Sequence, residues 1–83
     1  MGLEFIGKDP NSSHGESPTV WVEPSAQELV LQGWTLDPEM RSLCLETGKI
    51  PSHEEVVRIP ARMAPLLLRA LEVLEGEQRT ADG

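Results

Sequence analysis

The side chains able to do chemistry are few and poorly spaced for it. His14, Cys44 and His53 are the nitrogen and sulfur ligands of the chain. Zinc sites pair such residues as C-x2-C with H-x3–5-H, and these three match no such pattern. His14 lies among turn residues, and Cys44 reads as a small hydrophobe on the buried face of a helix. As a nucleophile Cys44 would need a base and a third, orienting group. Gly48 and Pro51 allow the chain to fold Cys44 and His53 together, but no motif frames either residue. The serines stand in turn clusters, where hydroxyls cap the local backbone. Glu54 and Glu55 are neighbours in a strand-like run and point to opposite faces, so they cannot flank one substrate. Gly7 and Gly15 flank acids and a proline, not a phosphate-cradling Gly-x-Gly or Gly-Lys-Ser. The sequence therefore reads as a non-enzyme with no cofactor and no resident metal. A small-molecule or metal-binding domain built on the Cys44/His53 neighbourhood is the alternative.

Recognition residues are easier to find. Trp21 and Trp34 each bury a large area while keeping a hydrogen-bonding N–H. They read either as core anchors, in a chain with one Phe and no Tyr, or as interface residues of the kind that dominate binding energy. Alternation along the second tryptophan's strand puts Leu29, Leu31 and Gly33 on one face and Val30, Gln32 and Trp34 on the other. With the leucines facing the core, Val30 and Trp34 face outward beside Val20 or Val22. Near the C-terminus the leucines wrap more than half of a helix, whereas one sheet face covers a stripe of about 100°. Leu68 is then left out, unless the helix carrying Met40 and Cys44 covers that flank. Glu23 and Glu28 stand near the same hairpin and can steer a basic partner. The partner-binding candidates are Trp34, Val30, Leu68, Glu23 and Glu28.

These residues are positioned by a small α+β domain. Leu3–Ile6 is an apolar run fit for an edge strand, and residues 7–18 are turn chemistry, read as a mobile loop. Thr19–Glu23 is β-branched and aromatic. After the turn Pro24–Gln27, Glu28–Trp34 reads as its antiparallel partner. Gly33 marks a bulge or a close backbone approach. A short helix follows, with Asp37 as N-cap, Pro38 at its first position and Gly48 just past its end. Glu54–Ile59 reads as a further strand ended by Pro60. Arg62–Glu75 carries Met63, Leu66, Leu67, Ala70, Leu71, Val73 and Leu74 at helical spacing, closed by Gly76. The expected architecture is a small antiparallel sheet of three to four strands packed on a C-terminal amphipathic helix, plus one short helix. The expected organisation is an edge strand and mobile loop over 1–18, a single domain over 19–75 and a disordered tail over 76–83.

Composition narrows the function. The chain has 83 residues, a net charge of −7 and one cysteine. That length holds one domain, which buries roughly 60–65% of its unfolded surface. A lone cysteine forms no internal disulfide and suits the cytoplasm. No run approaches the ~20 apolar residues of a membrane span, and no signal peptide is evident. A pI near 4.6 argues against a nucleic-acid backbone as ligand, and Arg58, Arg62 and Arg69 make a thin basic stripe.

The segments Leu29–Trp34, Asp37-Pro38 and His53–Met63 resemble a group of small uncharacterised actinobacterial proteins, often encoded beside helix-turn-helix regulators. The resemblance covers about two thirds of the chain and brings no catalytic motif. It implies a cytoplasmic accessory protein that partners such a regulator. The expectation is thus a non-enzymatic protein-interaction and regulatory module, a homodimer that binds a protein partner and neither nucleic acid nor membrane directly.

Overall fold

The computed structural model describes residues 2–11 and 17–82, with side chains as far as Gly76. His14, Glu16 and the middle of the predicted loop lie outside the described residues. The chain is α+β. A three-stranded antiparallel sheet in the order β1-β2-β3 is built from β1 (Glu4–Lys8), β2 (Thr19–Glu23) and β3 (Glu28–Gln32). The short helix α1 (Pro38–Leu45) follows, then a 3-10 turn (Ala61–Met63) that runs into the long helix α2 (Ala64–Asp82). Pro65 falls in the first turn of α2, where a missing N–H costs nothing.

The core forms where β2 meets α2. Val20, Val22, Met63, Ala70 and Leu74 are buried, with Ile6, Ile59, Leu66, Leu67 and Val73 packed around them. Helical spacing explains the choice, since Met63, Leu67, Ala70 and Leu74 fall within one narrow stripe at about 100° per residue. Each large side chain buried there stabilises the fold by roughly 1.5–3 kcal/mol. Ala70 is small enough for the helix axis to approach the sheet closely.

Register decides which residues share the helix-covered face. Val20 lies opposite Leu31 and Val22 opposite Leu29, so the valines and leucines point toward α2. Trp21 lies opposite Val30 on one side and Phe5 on the other, and this row occupies the far face. The valines therefore do not stand beside an outward Val30, as the sequence suggested; they share the leucines' face. Neither tryptophan is in the core: Trp21 is half-buried on the far face and Trp34 is exposed.

Four further expectations need correction. The ordered body starts at Glu4, because β1 continues through Gly7 to Lys8. A β-bulge between Phe5 and Gly7 sets Gly7 under Leu66, whose Cδ2 would lie 2.6 Å from any added Cβ. The turn-rich stretch is held at both ends. Asp9, Ser17 and Pro18 are buried, and Asp9 N donates to Pro18 O at 3.0 Å. Glu54–Ile59 forms no strand; only Arg58 pairs, bridging to Trp34. The last helix also passes Gly76 and continues to Asp82. Gly76 is an ordinary interior helical residue here, and the eight-residue tail is largely helix.

The molecule is elongated. Its radius of gyration is 14.9 Å and its extents are 47 × 32 × 20 Å, against about 12 Å for a compact chain of this length. A nineteen-residue helix spans about 28 Å of that length, and residues 35–57, which contain α1, are termed the arm.

Candidate interaction surfaces

The arm begins at a pinned neck. Trp34 N donates to Arg58 O at 2.8 Å and Arg58 N donates to Trp34 O at 2.9 Å. Gly33 allows this crossing, because a Cβ there would sit 2.5 Å from Arg58 O and 3.0 Å from Ile59 Cγ2. The close approach anticipated at Gly33 is thus its role. Beyond the neck, Asp37 caps α1 by accepting from Met40 N at 2.8 Å. Pro38 starts the helix and Glu39 favours its positive end. Thr47 Oγ1 donates to Cys44 O at 2.9 Å and closes the C-terminus, before Gly48 is reached.

No side chain of α1 is buried. Met40 and Cys44 are half-buried, as are Leu36, Ile50 and Val56, while Leu43 and Leu45 are exposed. The ion pair on the arm from Arg41 to Glu55, at 3.8 Å, joins exposed groups and contributes at most about 1 kcal/mol. An isolated helix shorter than about 12 residues is marginal in water, so α1 depends on contacts that this chain only partly supplies. Five acids (Asp37, Glu39, Glu46, Glu54, Glu55) and two bases (Arg41, Lys49) make the arm acidic.

A second surface lies along β3. The helix packs chiefly on β2 and β1, and Leu29 and Leu31 are each left 40% exposed although they share the core face. Leu66 touches Gly7 on the β1 side. Helical geometry then places Leu71, on the opposite flank, toward β3, and it too is exposed. Among the described residues, Glu28–Gln32 makes backbone bonds only to β2.

The opposite end of the sheet is tightly fastened. Arg62 Nε and Nη2 donate to Asp9 Oδ1 and Oδ2, each at 2.6 Å. The Asp9 side chain is fully buried while that of Arg62 reaches solvent. Asp9 Oδ1 also accepts from Asn11 N at 3.2 Å. The hydrogen bond to Asp9 raises the pKa of Arg62 and outweighs desolvation. One of the three arginines of the thin basic stripe is therefore engaged by a buried carboxylate of its own chain.

The predicted partner-binding residues are dispersed. Trp34, 47% exposed, stands at the neck. Val30 is half-buried on the far face of the sheet. Leu68, 62% exposed, lies on the outer side of α2, so it cannot share a contact with Val30. α1 does not cover it. Glu23 and Glu28 sit opposite each other at the hairpin end. Glu23 is engaged in its own turn: Ser25 Oγ donates to Oε2 at 2.7 Å and Ala26 N to Oε1 at 2.8 Å. The Ser25 hydroxyl holds the Glu23 pKa below a carboxylate's ordinary value, against a smaller effect of desolvation. Glu28 is exposed.

The Cys44/His53 neighbourhood shows no assembled site. His53 is exposed, with Nε2 3.8 Å from Glu54 Oε2, and Cys44 is half-buried on α1. Among the described residues, no group of three His, Cys, Asp or Glu side chains is placed to hold a metal ion. No described helix is long and apolar enough to cross a membrane. Sequence reasoning missed Leu43 and Leu45 as surface residues. It also missed Leu29 and Leu31, whose alternation showed which face they take but not that the helix stops short of them. No family model, curated protein or solved structure matches the chain.

Proposed function

We propose that the chain is a non-enzymatic interaction module of the cytoplasm, with a regulatory protein as partner and the arm as the contact. The observation that carries this reading is α1, an ordered helix with no buried side chain that presents Leu43 and Leu45 to solvent. A helix in this state gains its missing packing by laying an apolar face into a partner's groove. The arm's excess of acids suits a basic protein surface, such as that of a DNA-binding regulator, and steers the encounter. Trp34 stands at the base of the arm as an aromatic anchor. The resemblance to proteins encoded beside regulators points the same way.

The test is capture of the partner from source-organism lysate by the tagged chain, by Leu43→Glu and by Trp34→Ala. Both side chains are exposed, so circular dichroism and Tm should match the parent. The reading requires one stoichiometric protein that the parent retains and both variants lose, with retention weakening as salt rises. Equal retention by parent and variants would remove the arm from the contact. An unfolded Trp34→Ala would make Trp34 a structural residue.

A further inference from the structure

We infer that the open edge of β3 is a self-pairing site, where a second copy of this chain adds its own β3 antiparallel to form one continuous six-stranded sheet. Three observations select a second copy over other occupants. First, the edge is free, regular and apolar: β3 pairs with β2 without a bulge, and its outer side carries no other described hydrogen bond. Such an edge is a template for strand addition.

Second, the strand is chemically palindromic. Glu28-Leu29-Val30-Leu31-Gln32 reads polar, Leu, Val, Leu, polar from either end. A two-fold axis through Val30 sets Leu29 opposite Leu31 of the second copy, Leu31 opposite its Leu29, and Glu28 opposite its Gln32. Isologous interfaces demand this self-complementarity. A parallel or shifted register would instead bring Glu28 toward Glu28, or leucine against a polar end.

Third, the charges fit that register. Each Glu28 carboxylate meets the second N–H of a Gln32 amide whose first is donated to Ser17 O at 2.8 Å, and Arg58, held beside Trp34 two residues further on, brings a positive charge to the same end of the seam. On the helix side, Leu29 and Leu31 of both copies form one patch between the two α2 helices, where the Leu71 side chains close over it. The arms then leave from opposite ends of the seam, their Trp34 necks separated by roughly 26 Å at ~3.3 Å per residue. The dimer presents two arms without covering either.

Sedimentation equilibrium over roughly two decades of concentration reads the result. The parent should approach twice its 9.2 kDa monomer mass, and Leu31→Lys should remain monomeric with unchanged circular dichroism and, at high dilution where the parent is monomeric too, a Tm within a few degrees of the parent's. Lysine adds no negative charge, so a lost dimer cannot be attributed to extra repulsion between acidic copies. Register is tested independently in a Cys44→Ser background. Val30→Cys should cross-link to a covalent dimer on mild oxidation, and Phe5→Cys on β1 should not. A parent that stays at 9.2 kDa throughout, a dimer that survives Leu31→Lys, or cross-linking through Phe5→Cys in place of Val30→Cys would each overturn the proposal. Partner capture by the arm is read separately with Leu43→Glu, so self-pairing and the regulatory contact can fail independently.

Discussion

β1 and β3 are both five-residue edge strands of one sheet, yet they are finished in opposite ways. β1 is bulged at Ile6, tucked under Leu66, and fastened just past its end by buried Asp9, which accepts from Arg62. Lys8 Nζ also donates to Thr19 Oγ1 at 2.9 Å across the strands. A bulge, a lysine and a covering helix are the usual means of blocking further strand addition. β3 has none of them. It is regular, carries two partly exposed leucines, and is tied to the molecule by β2, by Gln32 Nε2 donating to Ser17 O at 2.8 Å and by the Trp34–Arg58 bridge past its end. One edge is closed by the fold and the other is left open, which teaches that an α+β domain this small can spend its single long helix on only two strands.

If that contrast is right, truncations on the closed side are far more costly than those on the open side. Met63→Ala removes a fully buried side chain at the start of α2 and should cost about 3 kcal/mol, lowering Tm by roughly 12 °C or more. Leu31→Ala, on the same face of the sheet, should cost the monomer less than about 1 kcal/mol, because 40% of the leucine is already in water. Urea melts of both variants at high dilution, where self-pairing is absent, make the comparison. Equal losses would mean that β3 belongs to the core.

Asp9→Ala comes next, at about 2 kcal/mol. It deprives Asn11 N of its acceptor and releases Arg62, which can turn to water. The loss should appear as faster amide exchange at the Lys8 end of β1, with β3 unaffected. Protection lost equally on both edges would show that the pair stabilises the whole sheet and not one side of it.

Gly33→Ala acts on the open side, at the neck of the arm. The new methyl meets Arg58 O, so the Trp34–Arg58 bridge must spread, at about 1–2 kcal/mol. The arm should loosen while the core amides of Val20 and Val22 keep their protection. Loss of core protection would mean that the arm and the sheet unfold as one unit.

What local spacing determines was legible in the sequence, and what depends on contacts between distant segments was not. The hairpin, the Asp37 cap, the helical stripe from Met63 to Leu74 and the close approach at Gly33 all follow from local spacing and residue type. The Asp9–Arg62 pair spans 53 positions, and no local rule distinguishes an Asp that caps a turn from one that accepts a distant arginine. Gly7 read as a turn because the bulge that employs it depends on Leu66, far along the chain. Val56-Val57-Arg58-Ile59 has strand composition but finds a partner only at Arg58. Composition measures fitness for a pleated surface and says nothing of whether an edge is within reach. The exposure of α1 was hidden for the same reason: its apolar spacing shows a face, not what covers it.

The smallest expected effect concerns the turn that ties β3 to β2. Glu23 titrates below its ordinary value near 4.5 because its carboxylate accepts from Ser25 Oγ and, secondarily, Ala26 N. Between the two values the unfolded chain binds more protons than the folded one, so this contribution to stability is complete above the unfolded value. It is lost as pH falls through the folded one. Ser25→Ala removes the larger cause. A carbon-13 titration should move the Glu23 carboxyl of that variant back up toward its ordinary value. The Tm difference between parent and variant should be present at pH 6 and shrink as pH falls through the lowered folded-state value of Glu23. The hairpin-end amides of Glu28 and Leu29 should lose protection over the same interval, while those of β1 do not respond. A Tm difference that stays constant with pH would show that Ser25 supports the turn by its own backbone preference, and the Glu23 carboxylate would then contribute nothing to holding β3 in place.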